Sequence, residues 1–133
     1  MLVVIAGGGR TGTQLAALLV EQKHTVHLVE HRKDILARIH RELPTEAIHE
    51  GDATDPDVLE AAGIRRAQVL AACTPDDADN LALCFFARKT FNVPRTIARV
   101  NNPAAAWLFS EAFGVDVALN AADVMSSLIE EEM

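Results

Sequence analysis

The sequence predicts an α/β fold: a doubly wound, six-stranded parallel sheet with helices on both faces. Three observations carry that expectation. A β-branched run, Val3-Val4-Ile5, reads as a strand buried on both faces. It leads directly into Gly7-x-Gly9-x-x-Gly12 and then into an apolar-rich helix over residues 14–20. The same order of strand, turn and helix then recurs to the end of the chain.

A second strand over residues 25–29 ends at Glu30, and the helix after it carries Ile35, Ile39 and Leu43 on one face until Pro44 stops it. Residues 47–49 make a short third strand. The turn Gly51-Asp52-Ala53-Thr54 then leads to a helix capped by Asp55, with Pro56 at its first position and Gly63 at its end. The fourth strand covers residues 68–72. Thr74 is expected to cap the long helix that follows, with Asp76 and Asp77 as acids of its first turn. That helix is expected to bury Leu81, Cys84 and Phe85, with Ala82 and Phe86 as further candidates. A fifth strand over residues 95–100 reaches Asn102-Pro103, again a cap followed by proline. Trp107, Leu108 and Ala112 are expected to face inward, and Gly114 closes that helix. Residues 115–119 make the sixth strand. Asn120 caps a last helix whose apolar stripe is Val124, Met125, Leu128 and Ile129. Two βαβαβ halves imply the strand order 3-2-1-4-5-6, a Rossmann-like sheet.

The bulk composition narrows the function classes. The 133 residues suit one domain, of which the usual size is about 100–200 residues, and no linker or repeat divides 1–133. Half of the residues are hydrophobic, enough for a real core. A net charge of −7 argues against nucleic-acid partners and anionic membrane surfaces. No apolar run approaches the roughly 18 residues of a membrane span, and no basic region precedes the first strand as in a signal peptide. Cys73 and Cys84 have neither metal nor redox spacing and read as small buried apolar groups of a reducing, cytoplasmic compartment.

The chemistry gathers where the strand order reverses, outside the strand C-termini. Gly7 permits the tight turn, Gly9 lets backbone approach a pyrophosphate, and Gly12 lets helix pack on strand. Arg10 and Thr11 lie inside this loop, at a helix N-terminus that favours anions. Glu30 ends the second strand, where an acid accepts hydrogen bonds from ribose hydroxyls and repels a 2′-phosphate, which points away from NADP. His31 and Arg32 flank that pocket. Asp52, Ala53 and Thr54 fall on the adenine side, where base reading and a self-capped turn explain them equally well. Thr74 faces the crevice. Arg99, ending the fifth strand, is placed to reach distal phosphates or a neighbouring subunit, and a plain surface arginine explains it equally well. His24, His27, His31, His40 and His49 make no metal-ligand pair at helical spacing, and no tyrosine exists to act as a base. Nothing in the sequence builds a second substrate site. The competing reading is the cofactor half of an NAD-dependent oxidoreductase whose substrate domain lies elsewhere.

GGGRTG, Glu30, Gly51-Asp52-Ala53-Thr54, residues 74–80 and Ala98-Arg99-Val100-Asn101-Asn102-Pro103 together resemble the regulatory RCK (KTN, or TrkA-N) domain of Trk-type potassium-uptake proteins. The resemblance spans essentially the whole chain, and the GDAT turn combined with ARVNNP is its most specific part. It implies a non-enzymatic cytoplasmic module that binds NAD(H) or ATP/ADP and gates a membrane potassium transporter or channel, without entering the membrane itself. It also implies homodimers or higher rings. From the residues, the apolar stripe of the last helix, about 121–133, either packs back on the sheet or makes it a candidate dimerisation or crossover helix. The three acids Glu130, Glu131 and Glu132, at the end where the dipole disfavours negative charge, speak for the second. By the same resemblance Gly7, Gly9, Arg10 and Gly12 hold phosphates, Glu30 the ribose and Asp52 to Thr54 the adenosine side. Thr74 and Arg99 then lie near the distal phosphates. The family's usual second, smaller lobe lies outside these 133 residues.

Overall fold

In a computed structural model, which describes residues 1–132, the chain forms one six-stranded, all-parallel sheet in the order 3-2-1-4-5-6. Its elements are β1 (Leu2–Ala6), α1 (Arg10–Glu21), β2 (Thr25–Glu30), α2 (Lys33–Ile39), β3 (Ile48–Glu50), α3 (Pro56–Ala61), β4 (Val69–Ala72), α4 (Asp77–Lys89), β5 (Arg95–Arg99), β6 (Val117–Leu119) and α5 (Ala121–Glu132). Single 3₁₀ segments fill several connections, among them Pro103–Leu108 and Glu111–Phe113. No helix among the described residues is long and apolar enough to cross a membrane.

Strand periodicity sorts β1 between two cores. Val3 and Ile5 point to one face, where they meet Ala16 of α1 and Leu36 and Ile39 of α2. Val4 and Ala6 point to the other, packing with Leu59 of α3 and Leu83, Cys84 and Ala87 of α4. Burial on both faces is why this strand reads as an unbroken apolar run. Parallel pairing with β2 on one side and β4 on the other puts β1 at the centre, so Gly7 emerges where the order reverses.

Several expectations are corrected. Helix α2 ends at Ile39, and Leu43 is buried from the turn beyond it. In α4 the buried face is Asn80, Leu83, Cys84 and Ala87, whereas Phe85 and Phe86 are exposed and Leu81 and Ala82 half-buried. Residues 81–87 are all apolar, so the pattern did not choose a face; the buried Asn80 sets the phase. Asp76, not Thr74, caps α4, its side chain accepting from the Asp79 N–H at 2.9 Å. Asn102 caps the segment after β5 as expected, but that segment is 3₁₀. Its threefold repeat turns Trp107 outward, 77% exposed, and Ala112 is exposed too; Phe109 and Val115 are buried there instead. Asn120 caps α5 through the Asp123 N–H. Val124, Met125, Leu128 and Ile129 are all exposed, so the apolar stripe does not pack back on the sheet.

Candidate functional site

The glycine loop is built by close approach. Gly7 has φ +105°, and a Cβ there would lie 2.9 Å from the backbone of Cys73. A Cβ on Gly12 would lie 1.9 Å from the carbonyl oxygen of Gly7, so α1 can start this close to β1 only with glycine at that position. Gly9 differs: a Cβ there meets nothing within 4 Å. Its freedom from a side chain serves nothing inside the chain and leaves space over the helix N-terminus.

Between them, Gly8 is fastened on both sides. Its N–H donates to Glu30 Oε1 at 2.9 Å. Its carbonyl accepts from Thr13 Oγ1 at 2.9 Å and Arg38 Nη2 at 2.7 Å. Arg10, Thr11 and Gly12 open α1, where backbone N–H groups have no intrahelical acceptor and the helix dipole is positive. Arg10 and Thr11 are exposed.

Glu30 is 3% exposed. Burial alone would raise its pKa, but the Arg32 side chain and the N–H groups of Arg32, Gly8 and His31 outweigh it and bring the carboxyl down to about 2. The crevice beside it is lined by Gly7, Glu30, His31, Asp52, Ala53, Thr54 and Thr74. Seven residues singled out from sequence are thereby brought together. Gly9, Arg10, Thr11, Gly12 and Arg99 do not line it; the first four form the adjoining loop. Asp52 Oδ1 accepts from Thr54 N–H at 2.9 Å and from its hydroxyl at 2.7 Å, so it caps its own turn, and these bonds hold its pKa down.

Thr74 and Arg99 are joined through a residue that was not singled out for the site. Asn80 Oδ1 accepts from Thr74 N–H and Oγ1, and its Nδ2 donates to the carbonyls of Thr74 and Arg99. Asp77 makes a second tie, accepting from the N–H groups of Asn101 at 2.6 Å and Asn102 at 2.8 Å. The ends of β4 and β5 are thereby set side by side. Arg32, Asp76 and Asp79 also line the crevice. The pKa of Asp79 is raised by burial and then by the charges of Asp76 and Asp52. Sequence alone marked Arg32 as a flanking residue; its pairing with Glu30 arises from the turn after β2. The His27 and His49 rings lie 4.4 Å apart, tilted by 48°, outside the crevice lining, and no group of three metal-ligating side chains exists among the described residues.

A glycine loop opening a helix N-terminus, a buried acid at the end of β2 and a crevice at the point where the strand order reverses thus lie together. The Trk system potassium uptake protein TrkA of Mycobacterium tuberculosis is 39% identical over 131 residues, covering 98% of this chain and 59% of that protein. The chain therefore spans about three-fifths of the length of that relative. Among solved structures, the RCK domain of GsuK superposes with a TM-score of 0.80 at 27% identity, covering 96% of this chain and 27% of that one. GsuK bound to ADP gives 0.78 at 28% identity, covering 97% and 32%, and the GsuK channel bound to NAD gives 0.76 at 27%, covering 98% and 23%. The family model for the TrkA-N domain matches residues 3–121, and this chain belongs to that family.

Proposed function

We propose that this chain is a regulatory module that binds an adenine nucleotide, NAD(H) or ATP/ADP, without turning it over, and thereby gates a membrane potassium transporter or channel. The observation that carries the reading is the open space over Gly9 beside the fastened Gly8 peptide and Glu30. There a pyrophosphate meets backbone N–H groups at the start of α1. Gly7, Gly9, Arg10, Thr11 and Gly12 face the phosphates, and Glu30 and His31 lie at the ribose. Asp52, Ala53 and Thr54 lie toward the adenosine, with Thr74 and Arg99 toward the distal half. Relatives named as potassium uptake proteins, and a channel solved with ADP and with NAD, support both ligand class and partner. A 2′-phosphate is disfavoured beside Glu30.

Communication with the transporter runs through the arrangement of neighbouring copies, because a ligand shifts an equilibrium only by favouring one state. We assign the exposed stripe of α5 to that contact, within a homodimer or larger ring on the cytoplasmic side of the membrane. Calorimetric titration with NADH, NAD, ATP, ADP and NADPH is the test. Saturable binding of the adenine nucleotides, weaker binding of NADPH and no turnover are expected. Substrate-dependent NADH oxidation above background, or no binding of any nucleotide, overturns the reading.

A further inference from the structure

Glu30 does not present a free carboxylate to the crevice. Its Oε1 accepts from Gly8 N–H at 2.9 Å and from Arg32 Nη2 at 2.8 Å. Its Oε2 accepts from the N–H groups of His31 at 2.8 Å and Arg32 at 2.9 Å, and from Arg32 Nε at 3.1 Å. An ionised carboxylate offers about four lone-pair sites, so these five donors saturate it. Three of the donors are backbone groups that shape the glycine loop and the turn from β2 into α2, and none can leave without unmaking that turn. The remaining two belong to one guanidinium, whose side chain is 37% exposed and itself lines the crevice.

The guanidinium fork and a ribose 2′,3′-diol offer the same thing to a carboxylate: two donors, one for each oxygen. We propose that Arg32 is a specificity-determining residue of the crevice, occupying the edge of Glu30 that the ribose diol takes, so that binding exchanges one bidentate partner for another. This rests on the nucleotide reading above. Each O–H···O⁻ bond made by the diol then replaces an N⁺–H···O⁻ bond already in place, and the hydroxyls add little net affinity. Paired with Arg32, Glu30 is also less repulsive to a 2′-phosphate than an unpaired acid would be. Removing the guanidinium leaves the three backbone bonds to Glu30 in place and opens its edge.

The test compares ADP with 2′,3′-dideoxy-ADP by calorimetric titration into the natural chain and into Arg32→Ala. Taking the ratio of the two affinities cancels any contact of Arg32 with the base or phosphates. The natural chain is expected to prefer ADP by less than about threefold, and Arg32→Ala by about tenfold or more, as befits charge-assisted bonds that no longer displace others. Arg32→Gln keeps most of the stem, should show the same rise, and guards against local loosening in the alanine variant. The preference for NADH over NADPH should widen in both variants. An unchanged ADP-to-dideoxy ratio in both, with ADP still bound, overturns the role of Arg32 and leaves the nucleotide reading standing. Failure of the natural chain to bind any adenine nucleotide overturns that reading, and this one with it; if NADH binds and ADP does not, NADH and its dideoxy analogue take the place of the ADP pair in the same comparison.

Discussion

The side-chain amide of Asn80 donates to the carbonyl of Arg99 at 2.9 Å, so a wholly buried polar group at the start of α4 fastens the end of β5 to the end of β4. All its bonding capacity is used, since Thr74 takes the rest through its N–H, hydroxyl and carbonyl. Asn80→Ala should therefore cost about 2–4 kcal/mol, because it strands buried partners rather than merely deleting bonds. Asn80→Asp should fare no better, as it sets an oxygen against two carbonyls. Urea denaturation measures both, and a loss under about 0.5 kcal/mol would show that the tie is dispensable.

Gly9 and Gly12 separate folding from binding. Gly9→Ala adds a methyl group to open space at a backbone conformation, φ −68° and ψ −171°, that alanine accepts. Its melting temperature should match the natural chain while ADP affinity falls about tenfold or more, as the methyl sits where the pyrophosphate lies. Gly12→Ala should instead lose about 3 kcal/mol or more of stability, and Gly12→Val should abolish binding, since the added carbon overlaps the Gly7 carbonyl. Loss of stability in the Gly9 variant would mean that the space above it is not free.

Acid should uncover the Glu30 network. The folded pKa of about 2 lies below the ordinary 4.5, so the carboxylate stabilises the fold above about pH 4.5. That contribution is lost as the pH falls from there toward 2. Allowing for the partly exposed guanidinium, it is about 2 kcal/mol at neutral pH. The natural chain should exceed Glu30→Gln in urea stability by that amount at neutral pH, and the gap should close by about pH 2–3. A gap that persists unchanged in acid would show that Glu30 titrates near its ordinary value.

The strand order was legible because six strand-like segments, some apolar throughout and some mixed, alternate with helices and the glycine motif marks the first crossover. Gly7, Gly12 and Glu30 were legible too, since steric need or burial leaves few residue types that can stand there. What stayed hidden arises from geometry that periodicity does not encode. Phe85 and Phe86 look like core until Asn80 turns α4 away from them. Trp107 faces inward on a helix of 3.6 residues per turn and outward on one of three. Thr74 is as good a cap as Asp76, but in the fold its hydroxyl donates to Asn80 and Asp76 takes the cap. The pairing of Arg32 with Glu30 depends on how the chain turns after β2, which no residue pattern states.

The last helix should act in assembly. Leu128 and Ile129 are 56% and 61% exposed, and no residue of α5 is buried within the chain. Leu128→Glu is expected to shift sedimentation toward the monomer without lowering the melting temperature of the sheet. A monomer at high concentration in both proteins, with and without nucleotide, would remove α5 from any interface.

The two-sided fastening of the Gly8 peptide also sets a time course. A loop whose N–H and carbonyl are both engaged before any ligand arrives has no ordering step left to make, and the group proposed above to move, the partly exposed Arg32 guanidinium, has only two hydrogen bonds to release. Nucleotide capture should be a single collision-controlled phase. In stopped-flow mixing its observed rate should rise in proportion to nucleotide concentration, without the plateau that a slow isomerisation imposes.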